Sequence, residues 1–295
     1  MPLRGLRVLA PVILLLVSPL FAAEDVKVSA GAVEDQRSTD ERSGGLSIEL
    51  ILKGSGVAGV RAVRVRVKSA KDDVGSVLTR PERDDKSKDF EGFAENRQPG
   101  PGVQLTSPRR DASTVDVAGE VELFLPARDP NTNQRFEQFQ AGLDKTLSST
   151  ALKAAKVEIT PLSPKEYRSR QEKNRPTKEQ IVAEGKKHGV SYAEIQQAIA
   201  MMDALTSLSG EPPSENSVLL ETKDPDGRIM AIDVVKPDGA ELKAPSRGSS
   251  GGRELKLVKI DLSEKPPADA ALFVTLRTAK SVVTVPLNLR GIALP

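Results

Sequence analysis

Apolar residues recur at every second position through much of the first half of the chain. Leu46, Ile48, Leu50 and Leu52 form one such run, with Ser47, Glu49 and Lys53 among the polar positions, and Val63, Val65 and Val67 alternate with Arg64, Arg66 and Lys68. A period of two predicts half-buried β-strands. The second run places three cations on one face. That face reads best as the solvated side of an antiparallel sheet, because no aromatic residue interleaves the cations and acidic residues follow at once. A turn is expected at Lys71-Asp72-Asp73-Val74-Gly75. Residues 80–102, polar and rich in Pro and Gly, read as a long exposed loop. Strand signals resume at Val103 and Leu105, at Val115 and Val117, and at Val121, Leu123 and Leu125, with shorter apolar segments through Phe136, Phe139, Val157, Ile159 and Leu162.

The period changes at Ser163-Pro164. From Lys165 to Gly210 helix formers dominate without β-alternation. Pro176-Thr177-Lys178-Glu179 opens a helix that continues to about Lys187, and Gly189 is placed to stop it. Ser191 with Glu194 forms a capping box for a second helix. Ile195, Ala198, Ile199, Met202 and Leu205 follow at helical spacing, a stripe that predicts one buried face. The short link through His188-Gly189-Val190 makes the pair a helical hairpin, which Glu211-Pro212-Pro213 ends. Met201 falls at the edge of the stripe, where an adaptable apolar side chain suits contact with a partner.

Alternation then returns. Val218-Leu219-Leu220 leads to the turn Asp224-Pro225-Asp226-Gly227; Met230, Ile232 and Val234 form the next strand, and Pro237-Asp238-Gly239 turns it. Ser246 to Gly252 reads as a Gly/Ser loop. Leu255, Leu257, Ile260 and Leu262 suggest a strand with a phase slip, and Leu272–Leu276 and Val283–Leu289 close the chain. Pro286, lacking a ladder N–H, places the last strand at a sheet edge or a bulge. A weak internal echo links Val65-x-Val67, Asp73, Gly75 and Leu78 with Ile232-x-Val234, Asp238, Gly239 and Leu242. A further echo links Val121–Pro126 with Val283–Leu287, as in a duplicated unit.

Many short strands with frequent turns predict a mainly β protein: two Ig-like antiparallel β-sandwich modules with an inserted helical hairpin. The expected divisions are a signal peptide over 1–23, an N-terminal sandwich over 24–163, the hairpin over 164–213 and a C-terminal sandwich over 214–295. The signal reading rests on Arg4 and Arg7, the apolar run Val8–Val17, and the small residues of Leu20-Phe21-Ala22-Ala23 before Glu24 and Asp25. Pro11 and Pro19 interrupt a run short of the roughly 20 residues that span a bilayer. The expectation is an exported protein, periplasmic or extracellular, with no membrane span after cleavage.

Composition narrows the chemistry. Without Arg4 and Arg7 the 43 Lys and Arg become 41, equal to the 41 Asp and Glu, so the remaining chain has no long-range field to attract nucleic acid. There is no Cys, which removes disulfides, thiolate metal sites and a cysteine nucleophile, and no Trp. The core must be aliphatic. His188, the only histidine, sits at the hairpin turn without a Gly-x-Ser-x-Gly elbow elsewhere to serve. No cofactor is expected. The acidic turns at Asp72, Asp73, Asp224 and Asp226 are weak calcium candidates, since no Glu completes an EF-hand loop after Gly227. These readings favour a non-catalytic exported module acting through protein–protein contact. The alternative is a hydrolase of the cell envelope using a carboxylate pair.

Overall fold

The computed structural model describes residues 26–36, 44–79, 89–93, 100–174, 177–209, 213–252 and 255–295. The expected signal peptide and most of the expected loop at 80–102 lie outside the described residues. The chain is mainly β. Its strands are β1 (Lys27–Gln36), β2 (Gly45–Lys53), β3 (Ala62–Asp72), β4 (Glu91–Gly92), β5 (Gly102–Leu105), β6 (Thr114–Phe124), β7 (Asn133–Phe136), β8 (Glu158–Pro161), β9 (Ser217–Lys223), β10 (Ile229–Val235), β11 (Ser246–Gly251), β12 (Leu255–Asp261), β13 (Ala271–Leu276) and β14 (Val282–Ala293). Four helices, α1 (Thr150–Ala155), α2 (Pro164–Asn174), α3 (Lys178–Lys187) and α4 (Tyr192–Ser209), lie between β7 and β9.

All strand pairs are antiparallel and fall into four sheets, ordered β1-β2-β5, β14-β6-β3-β4, β10-β13-β7 and β11-β12-β9-β8. The first two enclose an aliphatic core containing Leu46, Ile48, Leu50, Val63, Val121, Leu123, Val285 and Leu287. The other two enclose a second core containing Leu152, Ile159, Leu220, Val234, Ile260, Leu272 and Val274. Each pair of sheets is sandwich-like.

The division expected at residues 163 and 214 does not follow this pairing. β14 is last in the chain, yet it lies against β6 of the first sandwich, with Val285 opposite Val121 and Val283 opposite Leu123. β7 and β8 precede α2, α3 and α4, yet β7 pairs with β13 and β8 with β9 in the second sandwich. The chain crosses between sandwiches after β6 and returns after β13. Lateral hydrogen bonding depends on where an edge is free, not on sequence distance, so short connectors suffice. The two connectors are tied together: the Leu125 N–H donates to the Ser281 carbonyl at 2.8 Å and the Thr278 hydroxyl to the Asp129 carboxylate at 2.7 Å.

This pairing corrects the second expected echo: Val121–Pro126 and Val283–Leu287 are neighbours in one sheet, not counterparts. The first echo holds at its turn. Asp72 N–H bonds Ser76 O (3.2 Å), Gly75 N–H bonds Asp72 O (3.1 Å) and Leu78 N–H bonds Ala70 O (2.9 Å). The other turn repeats this frame as Lys236 to Ala240 (2.8 Å), Gly239 to Lys236 (2.9 Å) and Leu242 to Val234 (2.8 Å). Gly75 and Gly239 have φ of 91° and 88°, a region that favours glycine. In this frame Ala70 corresponds to Val234 and Asp73 to Pro237, so the expected matches of Val67 with Val234 and of Asp73 with Asp238 do not hold; β3 carries a register shift between Val67 and Ser69. The shift lies beside Gly119, whose Cβ, if it had one, would stand 2.1 Å from the Arg66 carbonyl oxygen.

Other local expectations meet mixed outcomes. Pro286 does sit on an edge strand, since β14 ends its sheet. Ser246–Gly251 is a strand, not a loop: its side chains are all exposed, so its partner β12 requires only its backbone. The apparent slip in β12 reflects burial of both faces, with Ile260 in the core and Leu257 beneath α2, beside Tyr167, Leu162 and Leu219. The hairpin of α3 and α4 carries its expected caps. Thr177 and Gln180 form a capping box at α3, as do Ser191 and Glu194 at α4. Gly189 (φ 68°) closes α3, its N–H on Lys186 O at 3.1 Å and that of Val190 on Gly185 O at 2.9 Å, a Schellman pattern. Of the expected stripe, Ile195 and Ile199 are buried and Met202 is half-buried, whereas Ala198 is exposed; the side chain of Leu205 lies outside the described residues.

Candidate functional site

Arg64 does not lie on a solvated face. It is 9 % exposed, held by an ion pair to Glu122, its cross-strand partner on β6. Its guanidinium lies 4.6 Å from the centre of the Phe90 ring, and that ring meets Phe124 edge-on at 6.2 Å. A cation–aromatic contact and a charge-assisted hydrogen bond together compensate a buried guanidinium. Of the three expected surface cations, Arg66 and Lys68 do remain exposed.

Across from this face, the second sandwich contributes the turn after β9 and the residues after β13. Asp224 accepts the N–H groups of Arg228 (2.7 Å) and Ile229 (2.8 Å), one on each carboxylate oxygen, and Gly227 adopts φ 60°. The turn so fixed places Arg228 at the head of β10. Arg277 follows β13. Its N–H bonds the Arg228 carbonyl at 2.7 Å, its Nη2 donates to the Asp226 carbonyl at 2.8 Å, and its guanidinium lies 5.5 Å from the Phe90 ring. Arg277 Nε is buried and has no acceptor among the described residues. Burial, then the charges of Arg64 and Arg228, push this guanidinium below its ordinary pKa. It stays charged, because arginine starts far above neutrality.

These residues line one cleft of about 1340 Å³ between the two sandwiches. Its walls carry six cations, Arg64, Arg66, Arg228, Arg247, Lys256 and Arg277, against three carboxylates, Asp89, Asp224 and Asp226. Arg247 is held by Asp233 at 2.6 Å and donates Nη1 to the Ile232 carbonyl at 2.6 Å. Among the described residues, Arg277 and Lys256 have no carboxylate within ion-pair distance. Glu122 also reaches Arg66 at 3.5 Å, so four of the six cations are paired, and the open positive charge is that of Arg277 and Lys256, beside one aromatic ring and strand backbone. The site can fix an anionic group, and it brings no histidine to the lining, His188 being bonded to Glu184 at 2.9 Å in the hairpin.

The sequence-selected residues lie elsewhere or are engaged. Asp72 takes the N–H of Ser76 (2.6 Å) and of Arg109 (3.2 Å); burial raises its pKa, but these bonds outweigh burial and hold it low. Asp73 takes the Ser113 N–H on both oxygens, at 3.1 and 3.2 Å. Asp226 reaches Arg228 at 3.9 Å. These oxygens serve the turns, and among the described residues no three His, Asp or Glu side chains gather as a metal cage. Met201 is 65 % exposed on α4 and Tyr192 of the same helix 69 %, away from the cleft. Sequence reasoning missed Arg228, Arg247 and Arg277. The one available signal was the Arg64–Arg66 stripe, which alternation alone assigns to solvent.

No helix among the described residues is long and apolar enough to cross a membrane. In comparison with known proteins, the chain matches no family model, no curated protein and no solved structure.

Proposed function

We propose that this protein is an exported, non-catalytic binding module that works through protein–protein contact, with the cleft between its sandwiches as the receptor surface. The observation that carries the reading is Arg277, half-buried in the cleft, which has no carboxylate within ion-pair distance among the described residues and whose buried Nε has no acceptor there. A buried charge without a partner is unfavourable in isolation and is offset when an anionic ligand arrives. The hydrolase alternative needs two free, convergent carboxylates, and Asp224 spends both oxygens on backbone N–H groups.

The architecture reads as two Ig-like modules derived from one duplicated unit. In this reading β9, β10, β12 and β13 of one module have β2, β3, β5 and β6 as counterparts in the other; β14 completes the first module, and β7 and β8 the second, from the other's chain segment. The repeated turn at Gly75 and Gly239 supports it. Export rests on the basic, apolar and small-residue order of residues 1–23. The exposed Met201 and Tyr192 offer a second contact on the hairpin.

The test is affinity capture from a cell-envelope fraction on the immobilised mature chain. The expected result is retention of a protein partner that high salt releases. Recovery of no protein, with turnover in a hydrolase substrate screen that one Asp or Glu substitution abolishes, overturns the reading.

A further inference from the structure

The outer edges of the second sandwich are not alike. β10 is occupied on its outer side, the Val234 carbonyl holding the Leu242 N–H and the Ile232 carbonyl holding Arg247 Nη1. On β8 the carbonyls of Ile159 and Pro161 accept the N–H groups of Leu147 and Asp144. β11 differs from both. It ends the order β11-β12-β9-β8, and among the described residues no hydrogen bond reaches the outer side of its main chain. An unpaired edge is a template for another strand, and natural proteins usually block it with Pro, Lys or a bulge. The sequence Ser-Arg-Gly-Ser-Ser-Gly has no such block, and its register against β12 is unbroken over all six residues. Its one charge, Arg247, is already bound to Asp233 and the Ile232 carbonyl.

The register shows which groups point outward. The Leu262 N–H donates to the Asn216 carbonyl at 3.1 Å, so even-numbered residues of β12 turn their main-chain groups to β9 and odd-numbered ones to β11. The partners of those odd-numbered residues are Ser246, Gly248 and Ser250. Arg247 and Ser249 therefore hold their N–H and C=O groups outward. All side chains of β11 are exposed, and apart from Arg247 they are Ser or Gly, so the edge has main-chain donors and acceptors but no pocket. Pockets for alternate side chains are what select a foreign strand. What this edge matches is its own copy. We infer that β11 pairs antiparallel with β11 of a second copy of this chain, about a two-fold axis at Ser249, joining two four-stranded sheets into one. In that register Ser249 meets Ser249 of the second copy and Arg247 meets Gly251, so no like charges are opposed. Both edges are already extended, which lowers the cost of ordering on association. The balanced charge of the mature chain leaves no net repulsion between copies. This edge contact is independent of what the cleft binds.

Sedimentation equilibrium of the mature chain is expected to show a mass that rises from one copy toward two with concentration. Ser249→Pro removes an outward N–H that the β11–β12 ladder does not use, and it should hold the chain at one copy. A thiol pair reads the register. The chain has no Cys, so Ser249→Cys introduces a single thiol. Hydrogen-bonded partners across an antiparallel pair lie about 5.5 Å apart at Cα, within disulfide reach, so mild oxidation should link two copies. Ser246→Cys places its thiols about 20 Å apart, at roughly 3.4 Å per residue, and should link at least about tenfold more slowly. The proposal is overturned if the chain stays a single copy up to about 1 mM, or if Ser249→Pro dimerises as well as the unaltered chain. It is equally overturned if Ser246→Cys links as fast as Ser249→Cys, which would mean collision and not pairing. If Ser249→Pro fails to fold, the two thiol variants decide the matter.

Discussion

Leu287 lies near the end of the chain, and its side chain is 1 % exposed in the core of the first sandwich. Replacing it with Ala removes three buried carbons, about 2.4 kcal/mol at roughly 0.8 kcal/mol for each. A cavity adds to this, and its size depends on how far the neighbours collapse. Opposite Leu287 on β6 is Gly119, which has no side chain to fill the space. Gly119 is also held close to the Arg66 carbonyl, so its backbone has little freedom to move. Against this, β14 is an edge strand and can shift outward. The expected loss is therefore about 3 kcal/mol, inside the roughly 2–5 kcal/mol seen for buried Leu→Ala changes. Urea unfolding gives the magnitude from the midpoint at constant slope. Native-state hydrogen exchange gives the location: amides of β3 and β6 should lose protection before those of β9 and β12. A loss below about 1 kcal/mol, or weakened protection confined to β9 and β12, would refute the placement of β14 in the first sandwich.

Leu123→Ala, in a strand paired on both sides, should cost about 3–5 kcal/mol by the same measurement. Asp129 is held below its ordinary pKa by the Asn131 N–H and the Thr278 hydroxyl, with burial opposing. Its contribution is thus complete above the unfolded carboxylate value and is lost as pH falls through the lower folded value. Asp129→Asn should flatten the fall in stability below about pH 4, and an unchanged acid limb would contradict this assignment. Gly185→Ala raises intrinsic helix propensity, but the new Cβ would stand 2.6 Å from Ile195 Cγ1. Hydrogen exchange should show α3 and α4 less protected; greater protection would show that the two helices part without cost.

Local signals were legible where the physics is local. Thr177, Ser191 and Gly189 act on backbone groups within four residues, so their roles as caps and stop could be read directly. Alternation located β2 and β14, because one face of each meets a core and the other meets water. It misled where both faces are covered, as in Val218-Leu219-Leu220 beneath α2, and where both faces are exposed, as in β11. It also misassigned Arg64: a charged residue in an alternating strand is expected in solvent, unless a carboxylate on the next strand and a ring from a distant loop arrive to meet it.

By itself the sequence determined the class of structure: the mainly β content, the helical hairpin with its caps, the aliphatic core and the absence of thiol chemistry. These follow from residue types and short periodicities. Only the tertiary structure decided which strands share a sheet and which cations share a cleft. β14 and β7 cross to the sandwich that their neighbours in sequence do not form, and no period within either strand records its partner. Arg64, Arg228 and Arg277 converge on Phe90 and the turn after β9 from separate strand ends. Hydrogen-bonded edges and charges act through space, so their pairing becomes visible only once the chain has crossed and returned.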